Sequence, residues 1–70
     1  MEIVSLFPER FKKILRDEDM SQLQFAKKYK FTPRAVNYWC SGQTQPSLET
    51  VILICREFEI TADYLLGVKD

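Results

Sequence analysis

The sequence predicts an all-α fold built from five short helices, and three observations support this prediction. Serine or threonine, which are favoured N-cap residues, precedes each predicted helix. Apolar residues recur at intervals of three and four, as on one face of a helix. Gly42 and Gly67, the two glycines of the 70-residue chain, each follow a predicted helix, where a left-handed residue is favoured.

The first predicted helix covers residues 5–18. Ser5 is placed to cap it, and Pro8 falls in its first turn, where proline is tolerated. Its apolar residues recur at helical spacing and form one core stripe: Phe7, Phe11, Ile14 and Leu15. Its four cations lie off that stripe: Arg10, Lys12, Lys13 and Arg16.

Two short helices joined by a tight turn are predicted from Ser21 to Gly42. Ser21 caps the first, and Gln24 three residues later completes a Ser-x-x-Gln capping box. Thr32 caps the second, with Pro33 at its first position, where the missing N–H costs nothing. About three residues separate the helices, which makes the segment a helix-turn-helix candidate.

The second helix of this unit, residues 33–41, has two distinct sides on a helical wheel. One side is apolar and predicted to face the core: Ala35, Val36, Trp39 and Cys40. The other side is predicted to face outward: Pro33, Arg34, Asn37, Tyr38 and Ser41. By itself this pattern also fits an ordinary surface helix with a polar outer face.

Two further helices are predicted after the helix-turn-helix candidate. Ser47 caps the fourth helix, which carries apolar residues on more than one side and is therefore expected at the centre of the bundle. Thr61 caps a short fifth helix that ends at Gly67. Some apolar residues near the C-terminus are expected to face outward and to mediate self-association, with Tyr64 and Val68 as the predicted dimer contacts.

Charge is segregated along the chain, although ten Lys+Arg and ten Asp+Glu leave the net charge at zero. Residues 21–46 carry four bases and no acid, whereas residues 1–20 have a net charge of −1 and residues 47–70 of −3. The only cationic block therefore coincides with the helix-turn-helix candidate. This layout favours a phosphate-binding face on that unit.

Composition excludes several classes of protein. No long apolar run is present, and the N-terminus lacks the pattern of a signal peptide, so we expect a cytoplasmic protein with no membrane contact. Cys40 and Cys55 are expected to be reduced packing residues, a disulfide being the alternative. Two cysteines without any histidine are too few for a structural zinc site. We expect no catalytic residues, cofactor or small-molecule substrate, because histidine and a phosphate-cradling glycine loop are both missing.

The order and spacing of several short pieces resemble the phage-repressor and Cro-type helix-turn-helix family, the XRE group. The matching pieces are Ser21-Gln22, Phe25-Ala26, Phe31-Thr32, Val36, Trp39, Gly42, Pro46-Ser47-Leu48-Glu49-Thr50 and Leu65-Leu66-Gly67. The resemblance as a whole spans from about Phe7 to Gly67. The resemblance implies one domain, residues 1–70, forming a compact lambda-repressor-like five-helix bundle from a bacterial, phage or mobile-element context.

The resemblance also implies a function in transcription. The family binds double-stranded operator DNA, usually as a dimer on a near-palindromic site. Residues 33–41 then form the recognition helix, with Pro33, Arg34, Asn37 and Tyr38 as the base-reading residues. Arg can pair with guanine and Asn with adenine. For Arg34, a phosphate contact is the alternative role.

Phosphate contacts are expected on both sides of the recognition helix. Gln22 stands at a helix N-terminus, which favours anions, and the resemblance favours a phosphate contact there over the alternative of a simple helix start. Lys27, Lys28 or both, and one or two cations of the first helix, can also reach phosphate. The resemblance assigns backbone contacts to the end of the recognition helix and the following loop, for which a plain connector is the alternative: Ser41, Gln43, Thr44 and Gln45.

Two positions depart from the family pattern. Lys30 stands where the turn usually has glycine, which predicts a strained left-handed turn. Pro33 occupies an early position of the recognition helix that often carries a base-reading side chain, so base reading shifts to later positions. The leading hypothesis is a DNA-binding transcriptional regulator that represses by occupying an operator. The alternative is an antitoxin-like protein-interaction module that keeps the fold without reading DNA.

Overall fold

The structure, a computed structural model, describes residues 4–69 and confirms the all-α prediction. Within this range the chain forms five helices: α1 (Phe7–Asp17), α2 (Gln22–Tyr29), α3 (Pro33–Ser41), α4 (Leu48–Glu57) and α5 (Ala62–Leu66). No strand occurs among the described residues. Residues 1–3 and Asp70 of the predicted 1–70 domain lie outside the described range.

Helices α2 to α5 start at the predicted caps. The Ser21 hydroxyl accepts the Gln24 N–H at 3.0 Å, and the Gln24 side chain accepts the Ser21 N–H at 2.8 Å, which completes the capping box. The hydroxyls of Thr32, Ser47 and Thr61 each accept the N–H three residues later at 3.1 Å. Each such cap contributes about 1 kcal/mol, so local sequence fixes where these helices begin.

Helix α1 is shorter than predicted. Leu6, not Ser5, is its N-cap residue, and no side chain caps the helix itself. The Ser5 hydroxyl accepts the N–H of Phe7 at 3.0 Å, two residues later, and Pro8 has no N–H to donate. At the other end, Glu18 is the C-cap residue, so the helix stops at Asp17.

The core is an aromatic cluster shared by α1, α2 and the α2–α3 turn. The Phe11 and Phe25 rings meet edge-on at 5.0 Å between centroids, and the Phe25 and Phe31 rings stack at 6.0 Å. Phe31 in turn meets Trp39 of α3 edge-on at 5.0 Å. Such ring pairs contribute about 0.5–1.5 kcal/mol beyond the area that they bury. The cluster therefore fixes α3 against α1 and α2.

The prediction that the fourth helix is central is wrong. Helix α4 packs chiefly on α5, and Ile54 is its one side chain with no exposed surface. Leu48 is 79% exposed and Ile52 is 53% exposed, so one side of α4 faces solvent. A helix with apolar residues all round is usually buried. Here the aromatic cluster already fills the centre, and α4 lies at the edge with apolar surface uncovered.

Candidate nucleic-acid interface

Helix α3 separates a buried side from an exposed side along the predicted division. Val36, Trp39 and Cys40 are buried, whereas Pro33, Arg34, Asn37 and Ser41 are exposed. Ala35 is half-buried. Since the buried side is packed in the core, the exposed side has a fixed orientation. The start of the helix is likewise fixed, by the Thr32 cap and by Pro33 at its first position.

Three of the four predicted base-reading residues are fully on the exposed side of α3, and Tyr38 is half-buried. The Arg34 guanidinium lies over the Tyr38 ring, 5.6 Å from its centroid. A cation above an aromatic face is attracted to it by about 0.5–1 kcal/mol at an exposed site. Tyr38 thereby restrains Arg34 one turn earlier on the helix, leaving the guanidinium donors available to a ligand.

The turn between α2 and α3 is left-handed, as predicted from the position of Lys30 where the family usually has glycine. Lys30 has φ 63° and ψ 41°, and its N–H donates to the carbonyl of Ala26. The next N–H, from Phe31, donates to the same carbonyl at 2.9 Å. A side chain in this region costs about 1–2 kcal/mol. This left-handed turn brings α3 back against α2.

The predicted phosphate residues of α2 lie at its two opposite ends. Gln22 is the first residue of the helix and is half-buried, with no acid in the first turn. Lys27 and Lys28 are exposed in the last turn, where positive charge also complements the helix dipole. Five residues of helix place the two groups about 7.5 Å apart along the axis. The two groups are therefore separated along the surface of α2.

The loop after α3 is held by its backbone and leaves its side chains available. Gly42 adopts φ 80°, and the Gln43 N–H donates to the Tyr38 carbonyl at 3.0 Å. The Ser41 hydroxyl donates to the same carbonyl at 3.2 Å. The side chains of Gln43, Thr44 and Gln45 are exposed and have no hydrogen-bond partner among the described residues. A ligand can thus meet three free polar groups on an ordered backbone.

The two predicted dimer residues have different surroundings. Tyr64 is half-buried on α5, with the Arg10 guanidinium 4.3 Å from its ring centroid and donating a hydrogen bond to its carbonyl. Val68 is 71% exposed. It borders an apolar groove of 570 Å³ together with Val4, Leu48 and Leu66. Sequence reasoning did not assign Val4 or Leu48 to this surface, because Leu48 was expected in the core and Val4 precedes the first helix.

Both cysteines are free thiols, and burial raises their pKa above the ordinary value. Cys40 is buried on the inner side of α3 and Cys55 is half-buried, which agrees with the predicted packing role. Among the residues that the structure describes, no cluster of His, Cys, Asp and Glu has the arrangement of a metal site. No helix in the described range is long and apolar enough to cross a membrane.

Comparison with known proteins agrees with this geometry. The helix-turn-helix family model HTH_3 matches residues 11–65, which is most of the chain. The crystal structure of a transcriptional regulator from Listeria innocua is similar, with a TM-score of 0.86 and 26% sequence identity over 97% of this chain. This chain covers 64% of that regulator, slightly less than two thirds of its length. No curated protein matches. By its sequence match and its fold, the chain belongs to the XRE-type helix-turn-helix family of DNA-binding regulators.

Proposed function

We propose that this protein is a sequence-specific regulator that binds double-stranded operator DNA and represses transcription by occupying the operator. The observation that carries the proposal is the exposed side of α3, where Pro33, Arg34 and Asn37 project from a helix fixed by its buried side. A helix of this kind fits the major groove of B-DNA. Family membership supports the same function. The expected compartment is the cytoplasm.

Specificity and affinity come from different residues in this proposal. Arg34 and Asn37 hydrogen-bond base edges, Tyr38 adds its hydroxyl, and Pro33 offers an apolar contact. On the α2 side of α3, phosphates are held by Gln22 and by Lys27 or Lys28. On the other side they are held by the end of α3 and the following loop: Ser41, Gln43, Thr44 and Gln45. Residues 21–46 carry no acid, so nothing in this segment repels the phosphates.

A two-fold dimer on a near-palindromic site completes the proposed complex. A single domain of this size makes too few contacts for tight specific binding. Half-sites about 10 base pairs apart, or about 34 Å, place both recognition helices on one face of the DNA. The apolar groove beside Val68 supports association of two copies, with Tyr64 as the second proposed contact.

The dimer is tested by footprinting with wild-type protein and a Val68→Asp variant. The wild type is expected to protect two half-sites. The variant is expected to protect the same site only at higher protein concentration, because a buried charge in the contact is costly. Val68 is exposed, so melting temperature is expected to be unchanged. Protection of a single half-site by saturating wild-type protein would count against the dimer.

The exposed apolar surface also favours a second candidate function, an antitoxin-like protein-interaction module without specific DNA reading. Leu48, Ile52 and Val68 are all more than half exposed, and the net charge of the chain is zero. Such a module requires an apolar surface but no cationic reading face. The two candidates therefore differ in whether the protein binds DNA at all.

The deciding experiment is selection of bound sequences from a random duplex pool, followed by gel shifts on the selected and scrambled duplexes at low salt. A DNA reader enriches one sequence, binds it more tightly than the scrambled duplex, and keeps weak affinity for the latter. Lack of enrichment, with no shift of any duplex, would support the protein-interaction module instead.

A further inference from the structure

The four cations of α1 are not equivalent in the folded protein. Arg10 is engaged with the ring and carbonyl of Tyr64 on α5. Lys13 forms an exposed ion pair with Asp17, 3.3 Å between Nζ and the carboxylate oxygen. The side chains of Lys12 and Arg16 form no ion pair or hydrogen bond with another described residue. Two of the four positive charges are therefore available to a ligand.

Lys12 lies between the two ends of the helix-turn-helix unit that the proposed function assigns to phosphate. It borders a hollow of 320 Å³ with Ser21 and Gln22 at the start of α2. It also borders a hollow of 390 Å³ with Ser41 and Gln45, beside the end of α3. Among the described cations, Lys12 alone borders both hollows; Arg16 lies only at the start of α2.

Lys12 and Arg16 each share one hollow with a single acid, so Lys12 differs from Arg16 by bordering the end of α3 as well as the start of α2. The positive charge of Lys12 acts on the nearby Cys40 thiol, opposing the rise in pKa that burial causes. Its ammonium is thus close to the end of α3. Glu9 borders the same hollow, but no ion pair joins it to Lys12. Arg16 shares its second hollow with Asp19, which also adopts a left-handed backbone there.

We infer that Lys12 is a DNA-positioning residue, whose ammonium contacts the phosphate backbone between the contacts of Gln22 and Ser41. The inference rests on the proposed function and adds a residue to it. Lysine serves as a mobile point charge toward phosphate, which suits a position between two hollows. The contact is independent of base sequence, so it orients α3 on the duplex without specifying the site.

The test compares Lys12→Gln with Lys13→Gln, which removes the same charge from the neighbouring residue. Affinity for the selected operator and for a scrambled duplex is measured over a series of salt concentrations. Losing one phosphate contact makes the negative slope of log K against log salt shallower by about 0.9, which corresponds to about an eight-fold loss of affinity at 0.1 M salt relative to 1 M. We expect this for Lys12→Gln on both duplexes, no change for Lys13→Gln, and the wild-type slope for Lys12→Arg.

Three outcomes would overturn the inference. An unchanged slope for Lys12→Gln, while the wild type binds DNA, would overturn it and leave the proposed function standing. An equal loss for Lys13→Gln would show that only the total charge of α1 matters. Failure of the wild type to bind any duplex would overturn the proposed function together with the inference. Thermal unfolding of each variant checks that these exposed substitutions leave the fold intact.

Discussion

The pair α2–α3 and the pair α4–α5 are built from the same local signals but distribute their apolar residues differently. Each helix has a Ser or Thr cap, and the turn within each pair has a left-handed residue, Lys30 or Glu59. In α2–α3 only Leu23, which is 49% exposed, is an exposed large aliphatic side chain. In α4–α5 and the residues that follow, Leu48, Ile52 and Val68 remain exposed.

Charge separates the two pairs in the same way. The α2–α3 segment is cationic without an acid, whereas residues 47–70 have a net charge of −3. A cationic polar surface suits a phosphate backbone, and an apolar surface on an acidic segment suits another protein. The Ser and Thr caps therefore determine where the helices begin, in both pairs alike. The side chains that remain exposed differ between the pairs, and they determine what each pair can bind.

The largest difference between the two pairs is expected in stability. Phe25→Ala opens a cavity at the centre of the aromatic cluster and is expected to cost about 3–5 kcal/mol, enough to unfold much of a domain this small. Ile52→Ala on the exposed side of α4 is expected to change stability by about 0.5 kcal/mol at most. Urea and thermal unfolding measure both. Equal losses would show that α4 is as central as its sequence suggests.

The next difference concerns DNA recognition by α3. Arg34→Ala is expected to cost about 1–3 kcal/mol per half-site on the selected operator and to relax preference at one base pair. Gln22→Ala is expected to weaken operator and scrambled DNA alike, because phosphates are the same everywhere. Binding of both variants is measured on both duplexes at one salt concentration. An equal loss on scrambled DNA for Arg34→Ala would make Arg34 a phosphate contact, with reading left to Asn37 and Tyr38.

Features that depend on residues close together in the sequence could be predicted, whereas features that depend on tertiary packing could not. The caps at Ser21 and Thr32 are local, since each partner lies three residues away, and the sequence indicated them correctly. The left-handed conformation of Lys30 was indicated only by the resemblance to the family, because lysine itself does not favour it. The position of α4 is a tertiary property. Its apolar residues predicted burial, but the aromatic cluster of α1–α3 occupies the centre, which no pattern within α4 reveals.

The candidate site follows the same rule. The exposed side of α3 was readable because helical periodicity alone places Arg34 and Asn37 opposite Trp39. Lys12 was one of four cations of α1 with nothing to distinguish it in sequence. Only the packing of α1 against α3 and the start of α2 places it between the two hollows. The roles of these residues in DNA binding remain predictions.

Replacing the left-handed residue of each turn by glycine is expected to have a smaller effect on stability, and the effect is expected to be the same in both pairs. Lys30 and Glu59 adopt φ of 63° and 54°. Replacing either by glycine removes a steric penalty of about 1 kcal/mol, partly offset by the greater freedom of glycine in the unfolded chain. Lys30→Gly and Glu59→Gly are each expected to raise the melting temperature by a few degrees. A lower melting temperature for Lys30→Gly would mean that its side chain contributes more than the strain costs.

The smallest effect concerns the hydrogen bond that connects the two pairs. The Tyr29 hydroxyl of α2 donates to the Glu57 carboxylate of α4 at 3.0 Å. Burial, then this bond and the charge of Glu57, raise the pKa of Tyr29 above its ordinary value of 10.0. The folded protein therefore holds the phenol proton more tightly than the unfolded chain. The resulting stability is fully present below pH 10 and is lost as pH rises through the raised pKa.

Tyr29→Phe tests this connection. At neutral pH the variant is expected to lose about 0.5 kcal/mol, because the bond is partly exposed. Above pH 10 its stability should fall less steeply than that of the wild type, because the contribution of Tyr29 is lost while that of the Cys40 and Cys55 thiols, whose pKa values are also raised by burial, remains. Thermal unfolding from pH 7 to 11 measures both slopes. If the slopes are the same, Tyr29 titrates alike in the folded and unfolded chains, and α2 and α4 are held together by apolar packing alone.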